Sequence, residues 1–155
     1  MRKIRVYVDT SVFGGTQEEK FKESSLRFFE KVAAGKYLVL LSMETLRVLR
    51  GAPQPVQNVW LNLDSHSYEI LLTNPEVEEL ARLYLDAGVL MPSSSSDALH
   101  VAAATVASAD LIISWNFKHI VNFKRTSGFN SVNIKLGYRP MTIMSPDGVK
   151  EDEGE

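Results

Sequence analysis

Between Ser96 and Phe117 the chain reads SDALHVAAATVASADLIISWNF, and this stretch restricts the fold more than any other. An acid, Asp97, stands where a helix would begin. A helix built largely of alanine and valine follows, then the short branched run Leu111–Ile113, then the polar tip Ser114-Trp115-Asn116. Alanine lacks bulk, so such a helix packs close against a sheet. A run of branched residues that short suits a strand buried on both faces. A helix feeding a central parallel strand brings the start of the helix and the end of the strand toward one rim, where open α/β sheets place their chemistry.

The remaining segments repeat this alternation. Ile4–Val8 alternates and is β-branched, predicting a first strand that ends at Asp9. The glycines of Thr10–Gly15 predict a turn-containing loop, and a helix is expected from about Glu18 to Ala34. Tyr37–Leu41 reads as a strand, Met43–Arg50 as a helix capped by Ser42, and Gln54–Leu63 as a further helix. Ser67–Leu72 is a third strand, and Asn74-Pro75 starts a helix over Glu76–Ala87. Met91–Ser96 reads as a flexible loop, Phe117–Asn122 as a short helical turn, Ser127–Leu136 as a helix and Met141–Met144 as a last strand. Strands alternating with helices predict one α/β domain over residues 1–147, an α/β/α sandwich around a mostly parallel sheet. Residues 148–155 are expected to form a disordered acidic tail.

Composition narrows the function classes. The absence of cysteine excludes disulfides, zinc ribbons and thiol nucleophiles, and fits a reducing cytoplasm. No apolar run reaches the roughly 18 residues of a membrane span. Gly14-Gly15 follows a strand but lacks the wider glycine pattern or lysine of a nucleotide loop. No acid lies between Asp110 and Asp147, while Lys118, Lys124, Arg125, Lys135 and Arg139 do, interleaved with Phe117, Phe123, Phe129 and Tyr138. Such a segment beside an acidic site suits a single-stranded polyanion, and equally suits solvated helix faces with core aromatics.

Asp9 and Asp97 are the residues on which chemistry would rest. Two carboxylates in a partly buried site repel unless a cation neutralises them. A hard divalent ion with oxygen ligands, Mg²⁺ or Mn²⁺, is the natural solution, and it can activate water against a phosphodiester. Taken singly, Asp97 reads as a helix cap and Asp9 as an acid bonding to its own turn.

VYVDTSVF, SMETLRVL, DALHVAAA, ADLIISWNFKHI and NIKLGYRP, in this order over nearly the whole chain, resemble the PIN-domain nucleases. These include the toxin ribonucleases of bacterial toxin–antitoxin pairs, and this chain is most similar to a subgroup with WNF-x-H. The resemblance implies a metal-dependent endoribonuclease on a parallel sheet, with Mg²⁺ or Mn²⁺ held by three or four acids. Asp9 matches the first acid and Asp97 the third. Val48 occupies the place of the second; Glu44, one helical turn earlier, is the candidate substitute. Asn116 stands in the fourth place, with an amide oxygen available to an ion or a water.

Ser11 and Ser114 are candidates for hydrogen bonds to a bound water or to Asp9. With Lys118, His119, Lys124 and Arg125 they form the expected RNA-binding set. His100 reads as a histidine packed on the sheet and bonded to backbone, Asp110 as structural. The resemblance also implies an antitoxin partner covering the acidic groove, and homodimers. Val48 supports a competing reading, a degenerate domain that binds RNA or protein without catalysis.

Overall fold

The structure, a computed structural model, describes residues 2–153, with side chains through Val149. Its elements are β1 (Ile4–Val8), α1 (Thr10–Gly15), α2 (Lys22–Ala33), β2 (Tyr37–Ser42), α3 (Met43–Arg50), α4 (Gln54–Leu61) and β3 (Tyr68–Leu71). Then come α5 (Pro75–Asp86), a 3₁₀ turn (Pro92–Ser94), α6 (Ser95–Val106), β4 (Leu111–Ile113), α7 (Phe123–Lys135), β5 (Ile143–Met144) and α8 (Pro146–Glu153). The sheet has five strands in the order β3-β2-β1-β4-β5, and every pairing is parallel. This is the expected α/β sandwich.

Side chains alternate across the strands and feed two cores. Tyr7, Leu40 and Ile112 pack with α5, α6 and α7. Val6, Val8, Val39, Leu41 and Ile113 pack on the other face with Phe13, Phe28 and Val149. The chain runs outward from β1 through β2 to β3, then restarts on the other side of β1 with β4. That reversal opens a crevice at the carboxyl ends of β1 and β4, the usual place for a ligand. Asp9 follows β1 and Ser114–Asn116 follow β4, so both segments reach the crevice. Among the described residues no helix is long and apolar enough to cross a membrane.

Several local expectations differ from the structure. Thr10–Gly15 is a helix rather than a loop, and neither of its glycines has positive φ. Gly15 serves close packing instead: a Cβ there would lie 2.6 Å from Ser25 Oγ and 2.7 Å from Trp115 Nε1. The following helix starts later than expected, at Lys22. The Met91–Ser96 segment is ordered into the 3₁₀ turn and the start of α6, so Asp97 lies inside the first turn and Ser94 is the cap residue. Helix α7 begins at Phe123, four residues ahead of the expected Ser127, because Asn122 caps it by accepting from the Arg125 N–H at 2.9 Å.

The tail departs most. Residues 148–153 belong to α8 rather than to a disordered segment: Val149 is buried against the second core, and Asp147 bonds Ser24 on α2. The rest of the expected tail, residues 154 and 155, lies outside the described residues.

Candidate active site

Asp9, only 4% exposed, ends β1 and is fixed by two serines. Its Oδ2 accepts from Ser11 Oγ and from Ser114 Oγ, each at 2.7 Å. Each hydroxyl in turn accepts a backbone N–H at 2.9 Å, Ser11 from Trp115 and Ser114 from Asn116. An N–H can only donate, so both serine protons are committed to Asp9, and the carboxylate cannot rotate without losing two bonds. The bond from Asp9 to Ser11 and Ser114 is as expected. Contact of Ser114 with RNA is not: its side chain is wholly buried.

Asp97 enters the same cleft from the first turn of α6. Its Oδ2 lies 3.1 Å from His119 Nδ1, and its Oδ1 accepts from Asn116 Nδ2 at 3.3 Å. Asn116 is thereby oriented: its amide oxygen accepts the His119 N–H at 2.9 Å. One acceptor site of that oxygen is thus used by the His119 N–H, and the amide nitrogen is turned toward Asp97. Burial, then the negative charge of Asp9, raise the Asp97 carboxyl above its ordinary value, while His119 and His100 oppose the shift.

His100, one turn further along α6, is buried and bonded to a side chain instead of backbone. Its Nδ1 lies 2.6 Å from the Tyr7 hydroxyl, and its Nε2 stands 3.7 Å from Asp9 Oδ1. Tyr7 also contacts Ser42 Oγ at 2.7 Å and Thr45 Oγ1 at 3.2 Å. Burial raises the Tyr7 phenol, which stays a neutral hydroxyl. Sequence reading passed over Tyr7, although two positions before Asp9 on a strand is the same sheet face.

Glu44 is not gathered into this cleft. It pairs with Arg47 and reaches the cleft wall only through Ser96, whose Oγ donates to it at 2.9 Å. The Arg47 hydrogen bond is the main cause holding the Glu44 carboxyl below its ordinary value, with Ser96 adding to it. Glu44 lines instead a larger groove of about 840 Å³ beside edge strand β3. Val48 does line the cleft.

The basic candidates separate as well. Lys118 and Lys124 are exposed. Arg125 is a structural tie, its guanidinium donating to the Val89 and Lys118 carbonyls. Trp115 and Phe129 are core residues, whereas Phe117 and Phe123 are exposed.

Among the described residues no three acidic or imidazole groups are set to hold a metal. The donors fit a lesser demand. Mg²⁺ keeps several waters and is commonly held by one or two carboxylates plus substrate phosphate. Asp9 and Asp97, two oxygen donors whose mutual repulsion is already expressed at Asp97, meet that description.

Comparison with known proteins agrees at the level of fold. No family model matches the chain, and no curated protein matches it. Among solved structures, VapBC2 from Rickettsia felis bound to a DNA fragment from their promoter superposes with a TM-score of 0.58 at 14% identity, covering 92% of this chain and 98% of that one. FitAcB from Neisseria gonorrhoeae gives 0.55 at 14% identity, covering 91% and 97%. VapC20 from Mycobacterium tuberculosis, a sarcin–ricin loop cleaving toxin, gives 0.52 at 16% identity, covering 88% and 98%. The chain has their PIN-like fold. At such identities the likeness concerns the path of the backbone, which places Asp9 and Asp97 at a common rim; it does not carry side-chain chemistry across.

Proposed function

We propose that this protein is an endoribonuclease of single-stranded or structured RNA, acting as the toxin of a toxin–antitoxin pair. The observation that carries the proposal is the convergence of Asp9 and Asp97 on one cleft at the sheet's switch point. The sequence resemblance to PIN-domain nucleases, and a shared fold with a sarcin–ricin loop cleaving toxin, support it.

Asp9 and Asp97 would hold Mg²⁺ or Mn²⁺, which when bound activates the attacking water and offsets charge building on the phosphodiester. The protein's own residues set the geometry for that chemistry. Ser11 and Ser114 lock Asp9, and Asn116 and His119 aim Asp97. Exposed Lys118 and Lys124, in a stretch free of acids, draw the polyanion toward the cleft. An antitoxin segment laid over the acidic cleft, and a homodimer, are the partners this reading implies.

The test is cleavage of single-stranded RNA with Mg²⁺ or Mn²⁺, abolished by Asp97→Asn. Cleavage indifferent to that substitution belongs to a contaminant and ends the proposal.

Val48 in the cleft favours a second reading, a binding module that has lost catalysis. Isothermal titration separates the two. Binding of Mg²⁺ or Mn²⁺ at millimolar concentration or below, dependent on Asp9, supports the enzyme; no detectable binding supports the module.

A further inference from the structure

The cleft that holds the two acids has a second wall of opposite character. A space of about 440 Å³ is lined by Asp9, Asp97 and His100 and also by Val48, Ala52 and Pro53, with Leu49 and Val56 buried. Val48 keeps 39% of its surface exposed although it stands beside a charged site. The wall is pre-formed. Gln57 Nε2 donates to the Ala52 carbonyl at 2.7 Å and to the Arg50 carbonyl at 3.3 Å, which braces the corner between α3 and α4.

We infer that Val48, Ala52 and Pro53 form a subsite for the nucleobase next to the phosphate positioned at Asp9 and Asp97. The inference rests on the nuclease reading and gives its missing acid a use. A cleft with one acidic and one apolar wall takes a ligand with the same division once a bound Mg²⁺ or Mn²⁺ offsets the two acids, and a nucleotide has it: a phosphate for the ion's side and a flat, largely apolar ring for the other. The volume falls within the range of small-ligand sites, about 300–1,000 Å³. The wall's side chains carry no hydrogen-bonding group, so it holds a base by contact area rather than by reading its edge. Duplexed bases are stacked on their neighbours and cannot enter, so the subsite selects unpaired nucleotides. The buried Trp115 and Phe129 cannot supply the stacking surface inside the cleft.

Gly14 gives a variant that probes the space without touching the acids. It lines the cleft, and a Cβ built there meets nothing within 4 Å, so a larger side chain at this position enters the opening from α1 without a clash at its first carbon. Val48→Ser removes apolar contact from the wall at a half-exposed position.

The experiment is fluorescence anisotropy in Mg²⁺ with two 2′-O-methyl single strands of equal length, one bearing bases and one abasic throughout. Cleavage of ordinary RNA is followed separately. The unsubstituted protein is expected to prefer the base-bearing strand by about fivefold, the scale of about 40 Å² of ring surface removed from water against aliphatic side chains. Val48→Ser is expected to shrink that preference while leaving the abasic affinity unchanged, whereas Gly14→Leu, which crowds the whole opening, is expected to weaken binding of both strands. Equal affinity for the two strands overturns the inference, and is also the result if the wall serves a protein segment. If ordinary RNA is still cleaved in that case, the nuclease reading stands and only the subsite falls. Binding of neither strand removes the subsite, and absence of cleavage as well removes both.

Discussion

Two ends of one sheet hold acids in opposite ways. At the amino end, Asp110 receives both guanidinium nitrogens of Arg2, at 2.9 and 3.0 Å, and the Arg5 N–H at 2.9 Å. Its carboxyl is held below the ordinary value, first by the Arg2 hydrogen bond. At the carboxyl end, Asp97 meets another carboxylate, two imidazoles and an amide, and is pushed upward. Satisfied acids close a structure, whereas acids kept close to each other without an arginine between them are poised for a charge from outside. The contrast separates an aspartate tied into the fold from the one proposed to hold an ion more sharply than burial does.

The contrast breaks first at catalysis. Asp97→Asn is expected to lower the rate of RNA cleavage by about two orders of magnitude or more, since it removes one of two anionic donors. Asp110→Asn is expected to leave the rate unchanged in the same gel assay. Equal losses would erase the distinction.

Metal affinity comes next. Val48→Glu places a third carboxylate on the cleft wall and is expected to tighten Mn²⁺ binding about tenfold by calorimetry. An unchanged constant would mean that α3 does not present position 48 to the ion.

Stability gives smaller effects of opposite sign. Asp110→Asn is expected to cost about 1 kcal/mol in urea unfolding near neutral pH, the scale of a charge-assisted bond on a partly exposed surface. A carboxyl whose folded pKa is depressed contributes stability above its unfolded pKa and loses it as pH falls through the folded one. The deficit of the variant should therefore vanish at strongly acid pH. Asp97 reverses the sign. Its raised folded pKa makes ionisation destabilising above that value and harmless below the unfolded one. In metal-free buffer, thermal scans of Asp97→Asn should show a higher midpoint than the unsubstituted protein at pH 7, converging as pH falls below 4.

Much of this was legible along the chain. The strand and helix segments follow from branched runs, glycines and caps, because those signals act between residues only a few positions apart. Asp9 and Asp97 stand out because they end a buried strand and open a helix aimed at the same rim. Roles set by partners distant in sequence did not show. Nothing near Asn116 in the chain shows that its amide donates to Asp97, and Arg125 reads as free until the Val89 carbonyl takes its guanidinium. Glu44 is close to the acids in sequence pattern, yet Arg47 and Ser96 hold it on the neighbouring groove.

The sequence by itself determined the alternation of strand and helix, hence a parallel sheet with an acidic rim, since side-chain period and turn chemistry are local properties. Only the tertiary structure decided what each acid faces. The pairing of Tyr7 with His100, of Asn116 with Asp97 and of the acids with the residues around Val48 crosses between elements far apart in the chain. Those contacts form when the sheet closes, and no local signal encodes them.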